Sequence, residues 1–360
     1  MGNGSCNGKV LTLIIPSYNM EEYLARCCES VLVEQEMMDR LEVIVVNDGS
    51  KDATSDIAHE FKRRYPETFN VIDKNNGHYG SCVNAALKIA TGTFVKLLDA
   101  DDTVDTSSFA AYVQFLSSLE DSPPDLVLTD AIRVDREGHV LEEHKCNLLA
   151  NKVMNFADLP KRITSNIWAT WVTYRVEMLR SIGYSQTEGI PFTDVQWTVL
   201  PMARVKKVAY FPVVLYRYLI GREGQSIKSG NVMAQMVKSS ARMALDSLIW
   251  FLSYCSECDC ANVSYLEDRI LDMFRIAYAW TIFKIHTPEA DAFLLKIDRE
   301  FEELSKKYYS ALGHDTVLMW NHIHYIDIWR KYPNAKGARI RFVRAIYELN
   351  LIAHKLMFWR

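Results

Sequence analysis

Three acidic residues, Asp99, Asp101 and Asp102, fall within four consecutive positions directly after an apolar stretch of the sequence. Carboxylates this close together repel one another unless a cation lies nearby, and their hard oxygens suit Mg²⁺ or Mn²⁺. The alternative is a solvated turn whose acids cap the following helix, but Asp105 or Thr106 can already serve as that cap. The cluster therefore predicts a site for a divalent metal and a diphosphate.

Two other polar groups follow apolar runs in the same way, namely Pro16-Ser-Tyr-Asn19 and Asn47-Asp-Gly-Ser50. No G-x-G-x-x-G follows the first run, and no G-x-x-x-x-G-K-[ST] occurs anywhere in the sequence. These absences argue against a dinucleotide oxidoreductase and a P-loop NTPase. We therefore expect a metal ion, rather than a glycine-rich loop, to neutralise the phosphates.

The elements that position these residues alternate between strands and helices over the first half of the chain. Strands that are apolar throughout indicate a parallel sheet covered by helices on both faces, so the fold class is α/β. In such sheets the ligand lies beyond the carboxyl ends of the strands, where the polar groups fall. The predicted strands are 10–15, 41–46, 69–72 and 93–98, and the helices between them are 21–33, 54–65 and 81–90.

The second half of the chain is mixed and then helical. We place a domain boundary in the polar stretch 225–231, which predicts a flexible leader at 1–8, a catalytic domain at 9–228 and a helical domain at 229–360. The predicted strands of this half are 126–129 and 213–218, and the helices are 233–254, 264–285, 289–309 and 338–358.

Composition narrows the class of protein. The chain has 360 residues, of which 49% are hydrophobic, and a net charge of −4, so it can bury a real core and does not resemble a protein that coats nucleic acid. The start of the sequence has no signal-peptide pattern, and we expect a cytoplasmic protein with reduced thiols. Cys255, Cys258 and Cys260 lie close together but lack an evident fourth ligand, which favours a helix end over a zinc site.

The motifs in their order resemble the nucleotide-sugar domain of family 2 glycosyltransferases, over about residues 9–220. The resemblance implies a GT-A type fold, in which a mainly parallel sheet flanked by helices is followed here by an all-helical C-terminal region. The segments that carry it are Ile15–Asn19 with Glu22, Val45–Ser50 with Asp52, Asn76-Gly77, Asn84, Ala90–Gly92 and Leu98–Asp102.

The resemblance also implies roles for individual residues on the side that binds the donor. Asp48 would accept hydrogen bonds from the uracil or the ribose, and Tyr18 would stack on the base unless it only packs. Asp101 would contact the metal, with Asp99 near both the metal and the ribose. The full predicted donor-binding set is Pro16, Tyr18, Glu22, Asp48, Lys74, Asn76, Asp99, Arg217 and Arg222.

The segment 189–197 resembles the part of the family that carries the catalytic base, often as an acidic pair. Here Thr193 replaces the first acid, so Asp194 alone is the predicted base and Glu188 a distant second. A sugar hydroxyl is a poor nucleophile until such a carboxylate accepts its proton. The alternative for Asp194 is a helix cap, and Trp168 with Trp171 forms either an acceptor platform or part of the core.

Together these patterns predict an inverting glycosyltransferase that uses Mn²⁺ or Mg²⁺. It would move a sugar from a nucleotide-sugar donor, a UDP-sugar by preference, to an acceptor hydroxyl in the assembly of a surface polysaccharide or other glycan. The Q-x-x-R-W signature of processive synthases is absent. The alternatives are a sugar-nucleotide nucleotidyltransferase and an inactive sugar-nucleotide binding protein, which the broken acidic pair keeps open.

The end of the chain is unusually basic. From Trp329 to Arg360 there are eight Lys and Arg residues and one acid, Glu348. A basic amphipathic helix over 338–360 suits peripheral contact with an anionic membrane surface, where the enzyme would meet a glycan or lipid-linked acceptor. Apolar residues on its other side suit equally a packed helix or a homodimer contact.

Overall fold

The computed structural model describes residues 8–150, 152–164, 167–222, 232–285, 287–314 and 324–332, together with residue 345. Two compact units divide the chain. The first comprises Met1–Gln225 and Cys258–Tyr265, and the second comprises Ser226–Glu257 and Leu266–Arg360. The predicted leader, the boundary stretch 225–231 and the helix 338–358 lie outside the described residues, apart from Gly8 and residue 345.

The first unit is built on one mixed sheet, and this sheet confirms the predicted α/β class. Along the sheet the strands follow the order β3-β2-β1-β4-β9-β6-β10-β5, with β7 paired to β6 and β8 to β10. The strands among the described residues are β1 Leu11–Ser17, β2 Leu41–Asn47, β3 Phe69–Asp73, β4 Phe94–Leu97, β5 Thr103–Val104, β6 Leu126–Val134, β7 Val140–His144, β8 Val153–Asn155, β9 Val172–Arg175 and β10 Lys207–Leu219.

The strand directions follow from the sequence of each strand. Strands β1 and β2 are buried at nearly every position, as expected of central parallel strands covered on both faces, and β1 pairs in parallel with both β2 and β4. Strand β9 runs antiparallel between β4 and β6, while β6 and β10 are parallel to each other. The carboxyl ends of β1, β2, β3 and β4 therefore meet at one edge, where the predicted polar groups fall.

Helices cover this sheet. Helix α5 shows how the sequence fixes their ends, because the Asp105 carboxylate accepts a hydrogen bond from the Ser108 amide at 3.0 Å. Asp105 therefore caps α5, and the cluster at 99–102 is not needed for that purpose. The helices of the first unit are α1 Leu24–Ser30, α2 Gln35–Met38, α3 Thr54–Arg64, α4 His78–Ile89, α5 Thr106–Ser117, α6 Lys161–Thr164, α7 Val176–Ser181 and α8 Asp194–Val199.

The second unit is helical wherever it is described, which confirms the predicted all-helical C-terminal region. Its helices are α9 Val232–Glu257, α10 Val263–Trp280, α11 Pro288–Leu304, α12 Lys306–Gly313 and α13 Tyr325–Lys331, with a π-helical turn at Thr281–Ile285; the first residues of α10 belong to the first unit. None of the described helices combines the length and the apolar character that a membrane span requires.

Three predicted elements differ from the structure. The predicted helix 21–33 is shorter, because the Ser30 carbonyl, which would extend α1, accepts the Thr106 hydroxyl at 2.8 Å instead. The predicted helix 289–309 is two helices, since Ser305 is extended and its side chain caps α12. The strand predicted at 213–218 begins earlier, at Lys207, because β10 pairs there with β8 as well as β6.

Candidate active site

The loop after β2 holds Asp48 in a fixed orientation. Asp48 is 2% exposed, and its Oδ1 accepts hydrogen bonds from the Lys74 amine at 2.7 Å and the Gly77 amide at 2.9 Å. The Lys74 amine also donates to the Ser81 hydroxyl at 2.8 Å. Gly49 has φ +76°, and a Cβ there would lie 3.0 Å from the Asn76 amide, so the close approach of the two loops requires glycine. Three predicted donor-site residues, Asp48, Lys74 and Asn76, are thus brought together.

The loops after β1 and β2 are joined to each other by reciprocal hydrogen bonds. The Lys51 amide donates to the Asn19 side chain at 2.9 Å, and the Asn19 amide donates to the Ser50 hydroxyl at 3.0 Å. Asn19 has φ 53°, a left-handed conformation that asparagine tolerates. Tyr18 remains 46% exposed beside this junction, so its ring is accessible for stacking. Pro16 lies within β1, opposite Val46.

Glu22 is exposed, and no hydrogen bond or ion pair of its side chain is found in the described part of the chain. The acid that contributes to this region is its neighbour Glu21, whose carboxylate accepts the Ala53 amide at 3.0 Å. The Glu21 amide in turn donates to Asp52 at 3.1 Å. Glu21 therefore joins the loops after β1 and β2, and the donor-binding role of Glu22 stays a prediction.

The three acids after β4 have different surroundings. The Asp102 oxygens accept the Leu219 amide and the Tyr216 hydroxyl, both at 2.7 Å, so Asp102 fixes β10 rather than a ligand. Burial, with the charge of Asp101 second, raises the pKa of Asp102 well above its ordinary value. Asp101 forms an ion pair with Arg222 that is almost fully buried. The predicted metal ligand Asp101 and Arg222, a member of the predicted donor-binding set, are thus direct partners.

Asp99 is half-buried and lies close to other negatively charged side chains. Its Oδ1 accepts the Tyr79 hydroxyl at 2.9 Å, and its amide donates to the Tyr216 hydroxyl at 3.1 Å. Burial first, and the neighbouring Asp101 second, raise the pKa of Asp99 to about 7. Oxygens of Asp99, Asp101 and Asp102 lie within 4.8 Å of one another, which is a spacing that one divalent cation can bridge.

Asp194 begins helix α8 after a constrained loop. Phe192 has φ 62°, which is strained for a bulky residue, and the buried Thr193 hydroxyl donates to the Gln186 side chain at 3.1 Å. Part of Asp194 is accessible, yet the protein around it desolvates the carboxylate and raises its pKa above the ordinary value. The amides of Asp194 and Val195 oppose this rise, so the carboxylate also serves the first turn of its helix.

Helix α4 fixes the position of this loop. The Asn84 amide group donates to the Gln186 carbonyl at 2.9 Å and to Glu188 at 2.8 Å, and its oxygen accepts the Gln186 amide at 2.8 Å. A Cβ at Gly80 would lie 2.2 Å from the Thr187 carbonyl oxygen, so only glycine permits this approach. Asn84 therefore acts on the structure around Asp194, and Glu188 is engaged in that support.

A cavity of about 200 Å³ joins these parts of the first unit. It has room for roughly six or seven water molecules at liquid density. Asp99 and Asp194 both line it, so the acidic cluster and the predicted base share one space. The other lining residues are Tyr79, Leu97, Ala131, Ile132, Arg133, His144, Trp168, Ala169, Thr170, Tyr216 and Tyr218.

Some predicted residues do not reach this cavity. Arg217 lies beside a separate open groove, where its guanidinium is 3.5 Å from the Gly138 carbonyl. Trp171 is 5% exposed and packs in the core, whereas Trp168 lines the cavity. Trp171 therefore belongs to the core, whereas the position of Trp168 is compatible with an acceptor platform.

Other residues of the site carried little signal in the sequence. Tyr79 follows the Asn-Gly turn and Tyr216 precedes Arg217, but a tyrosine at either place also fits simple packing. Lys96 interrupts an apolar strand, and this position could have marked it from the sequence as a buried charged residue. It is fully buried, and its amine donates to the Thr170 carbonyl at 2.7 Å and the Val172 carbonyl at 3.3 Å. Burial lowers the pKa of Lys96 to about 7.

Part of the chain matches a known family model, and curated proteins are similar to it. Residues 12–183 match the family model described as glycosyl transferase family 2. The minor teichoic acid biosynthesis protein GgaB of Bacillus subtilis (strain 168) is 25% identical over 217 residues, which are 60% of this chain and 23% of GgaB. The uncharacterized glycosyltransferase EpsJ of the same strain is 27% identical over 218 residues, which are 58% of this chain and 60% of EpsJ. Each match spans less than two thirds of the relative.

Among solved structures, residues 1–349 of S. aureus TarS in complex with UDP-GlcNAc are similar to this chain. The TM-score is 0.62 at 18% sequence identity, and the alignment covers 83% of this chain and 82% of the TarS chain. Similarity at this level of identity shows a shared fold. The GT-A type fold with a helical C-terminal region, as predicted from the sequence, is confirmed.

Proposed function

Because residues 12–183 belong to glycosyl transferase family 2, we propose that the chain transfers one sugar from a nucleotide-sugar donor to an acceptor hydroxyl, with inversion at the anomeric carbon. The observation that carries the proposal is the shared cavity. Asp99, a member of the acidic cluster, and Asp194, a carboxylate with a raised pKa, line the same space. Donor chemistry and proton removal from an acceptor can therefore occur side by side.

The residues of the acidic cluster fit a divalent cation. Hard carboxylate oxygens from Asp99 and Asp101 are the ligands that Mg²⁺ and Mn²⁺ prefer, and the raised pKa of Asp99 marks negative charge that the surrounding protein leaves partly uncompensated. Asp102 does not join them in this proposal, since both of its oxygens are engaged by β10. When bound, the metal supplies positive charge for the donor diphosphate and the leaving nucleotide.

The donor nucleotide is proposed to bind at the loops after β1 and β2. Asp48 presents a carboxylate that can accept hydrogen bonds from uracil or ribose, and Lys74 keeps it in place. The exposed ring of Tyr18 is available to cover the base. TarS, which shares the fold, was solved with UDP-GlcNAc, and this supports a UDP-sugar as the donor. Arg222, the ion-pair partner of Asp101, is proposed to bind the diphosphate.

Asp194 is proposed to accept the proton of the acceptor hydroxyl. Its raised pKa makes the carboxylate a stronger base than an ordinary aspartate, which favours proton transfer as the hydroxyl attacks. Attack occurs on the face of the sugar opposite the leaving nucleotide, which gives the inversion. The hydrogen bonds from Asn84 keep the loop before Asp194 in place during the reaction.

The acceptor is proposed to be a glycan or a lipid-linked glycan in surface-polysaccharide assembly. The name of GgaB places that relative in teichoic acid biosynthesis, which supports this class of acceptor. Membrane contact through 338–360 concerns residues outside the described part of the chain, and it stays a prediction. The same holds for a homodimer and for a cytoplasmic location.

Release of free UDP from a panel of UDP-sugars tests the proposed function. We expect slow hydrolysis of one member with Mn²⁺, and loss of that hydrolysis with a chelator. Release of pyrophosphate from UTP and a sugar 1-phosphate would instead identify a nucleotidyltransferase. UDP binding without turnover of any sugar, even with candidate acceptors, would identify an inactive binding protein.

A further inference from the structure

The cavity next to Asp194 has a basic and aromatic wall that the proposed chemistry does not use. Arg133, near the end of β6, places its guanidinium carbon 5.1 Å from the centre of the Trp168 ring. The ring of His144, at the end of β7, lies 4.4 Å from the same tryptophan. All three residues line the cavity together with Asp194. We call Arg133, His144 and Trp168 the basic wall.

The guanidinium of the basic wall has unused donors. Arginine has five N–H groups, and the one hydrogen bond that Arg133 makes among the described residues joins its Nη1 to the Glu142 carboxylate at 2.7 Å. The Arg133 Nε is buried and has no hydrogen-bond partner among the described residues. The His144 Nε2 is also buried without a hydrogen bond, 3.3 Å from the Glu142 carboxylate. A guanidinium N–H without a hydrogen-bond partner, beside a cavity, favours an oxyanion as ligand.

Glu142 is a weak partner for this arginine. Its side chain is 51% exposed, whereas that of Arg133 is 33% exposed and that of His144 only 12%. An exposed ion pair contributes little free energy because water competes for both charges. A ligand oxyanion in the cavity can therefore take over the guanidinium, while Glu142 turns to solvent.

The order of strands assigns this wall to the acceptor. The nucleotide loops follow β1, β2 and β3, at one end of the sheet order, and β6 with β7 lies beyond β4 and β9 from them. A negative group of the acceptor would be attracted to Arg133 and repelled by Asp194, so it would bind at the basic wall and not beside Asp194. That orientation leaves the uncharged hydroxyls of the same molecule near Asp194.

We propose that the basic wall binds an anionic group, a carboxylate or a phosphate, that the acceptor carries, with Glu142 as its intramolecular competitor. This inference rests on the proposed function, since it assigns the substrate that Asp194 deprotonates. Trp168 supports the guanidinium from one side and offers an apolar surface to the sugar ring. The enzyme would then select acidic glycans over neutral ones.

Two matched pairs of probes test the proposal by NMR titration in the presence of UDP and Mn²⁺. Methyl β-glucuronide is compared with methyl β-glucoside, and glycerol 3-phosphate with glycerol. We expect the charged member of one pair to bind about tenfold tighter than its neutral counterpart, as a charge-assisted hydrogen bond implies. The pair that discriminates identifies the source of the charge as a sugar acid or a phosphate.

Two variants with opposite expected effects make the test specific. Arg133→Gln should abolish the preference for the charged probe, and Glu142→Gln should increase it about threefold by removing the competitor. Equal binding of charged and neutral probes by the unmodified protein overturns the inference, as does a preference that survives Arg133→Gln. If Arg133→Gln does not fold, an unchanged or weaker preference in Glu142→Gln overturns it.

The proposed function is measured separately in the same samples. Binding of UDP and hydrolysis of a UDP-sugar by the unmodified protein report on the nucleotide site and the chemistry. If UDP binds and hydrolysis occurs while the probes do not discriminate, the inference is wrong and the proposed function stands. If neither UDP binding nor hydrolysis is found, the proposed function is wrong.

Discussion

The proposed donor side and the proposed acceptor side of the first unit are stabilised in different ways. On the donor side, the loops after β1, β2 and β3, the Asp48 carboxylate is 2% exposed and is joined to Lys74 and Gly77. On the acceptor side, the ends of β6 and β7 with Trp168, the charged side chains of Arg133 and Glu142 stay one third to one half exposed. Residues on the donor side are held by their neighbours, and residues on the acceptor side can change partners.

This difference has a physical lesson for function. A preformed nucleotide site loses little side-chain entropy when the donor binds, which suits a ligand shared by many related enzymes. Exposed charges on a short hairpin can be exchanged at small cost to the core. Specificity for the acceptor can therefore vary while the donor chemistry stays the same. The four predictions below test this contrast.

The largest effect is expected on the donor side, from Asp101→Asn. Loss of the carboxylate should abolish the increase in UDP affinity that Mn²⁺ gives, because one of the two proposed ligands is gone. Isothermal titration of UDP with and without Mn²⁺ measures the effect. The control is Asp102→Asn, which weakens the bonds to Leu219 and Tyr216 and should cost about 1–3 kcal/mol of stability but keep the response to Mn²⁺. A full response in Asp101→Asn would refute the assignment.

Asp194→Asn should come next, with a loss of activity but not of donor binding. We expect kcat to fall by about 10²–10⁴, the usual contribution of a general base, while UDP affinity is unchanged. Rate measurements and UDP titration on one preparation separate the two. Glu188→Gln, a change at an exposed residue that can still accept from Asn84, should have little effect. Near-normal turnover in Asp194→Asn would leave that residue only its helix-capping role.

Lys74→Met tests whether the donor side depends on its ion pair. UDP affinity should fall about tenfold, because Asp48 loses a charge-assisted hydrogen bond and its fixed orientation. Lys51→Met removes the same charge from an exposed side chain in the loop after β2 and should change the affinity much less. Equal losses in the two variants would mean that overall charge, and not the position of Asp48, governs nucleotide binding.

The last prediction concerns global stability and not ligand binding, through the pH dependence of the buried Lys96. Burial lowers the pKa of Lys96 from 10.5 to about 7, so between these values the unfolded chain binds a proton that the folded chain has released. The contribution of Lys96 to stability therefore rises with pH, by about 1 kcal/mol per pH unit. The Tm of the unmodified protein should rise relative to the Tm of Lys96→Met as the pH increases from 7 to 9.

The exposed Lys88 provides the control for this measurement. The difference in Tm between the unmodified protein and Lys88→Met should not change with pH. A constant difference for Lys96→Met as well would mean that its buried amine does not titrate in this range. The carbonyls of Thr170 and Val172 would then be joined to a permanently charged lysine.

The sequence predicted more of the proposed donor side than of the proposed acceptor side. Asp48, Asp99 and Asp101 follow strands that are apolar and parallel, so the ends of those strands meet at one edge whatever the loops do. The capping role of Asp105 was predictable for a similar reason, because a cap acts on its own helix. Local rules were sufficient for these residues.

On the proposed acceptor side, the sequence indicated Trp168 as a candidate platform, but local rules did not predict that Arg133 and His144 lie beside it. Arg133, His144 and Trp168 meet only because β7 folds back on β6, and because β9 runs antiparallel between β4 and β6. These pairings depend on long-range contacts that residue spacing does not encode. Arg217 was included in the predicted donor-binding set by resemblance, and its place in β10 leaves it beside the groove near Gly138.

Gly80 has a consequence for engineering this protein. Libraries that aim to change acceptor choice would naturally randomise positions around the cavity, and position 80 lies one residue after Tyr79. Any side chain there would meet the Thr187 carbonyl oxygen at 2.2 Å and displace the loop that carries Asp194. Every such library member would lose rate regardless of its specificity, so position 80 should stay constant while positions 133, 142, 144 and 168 are varied.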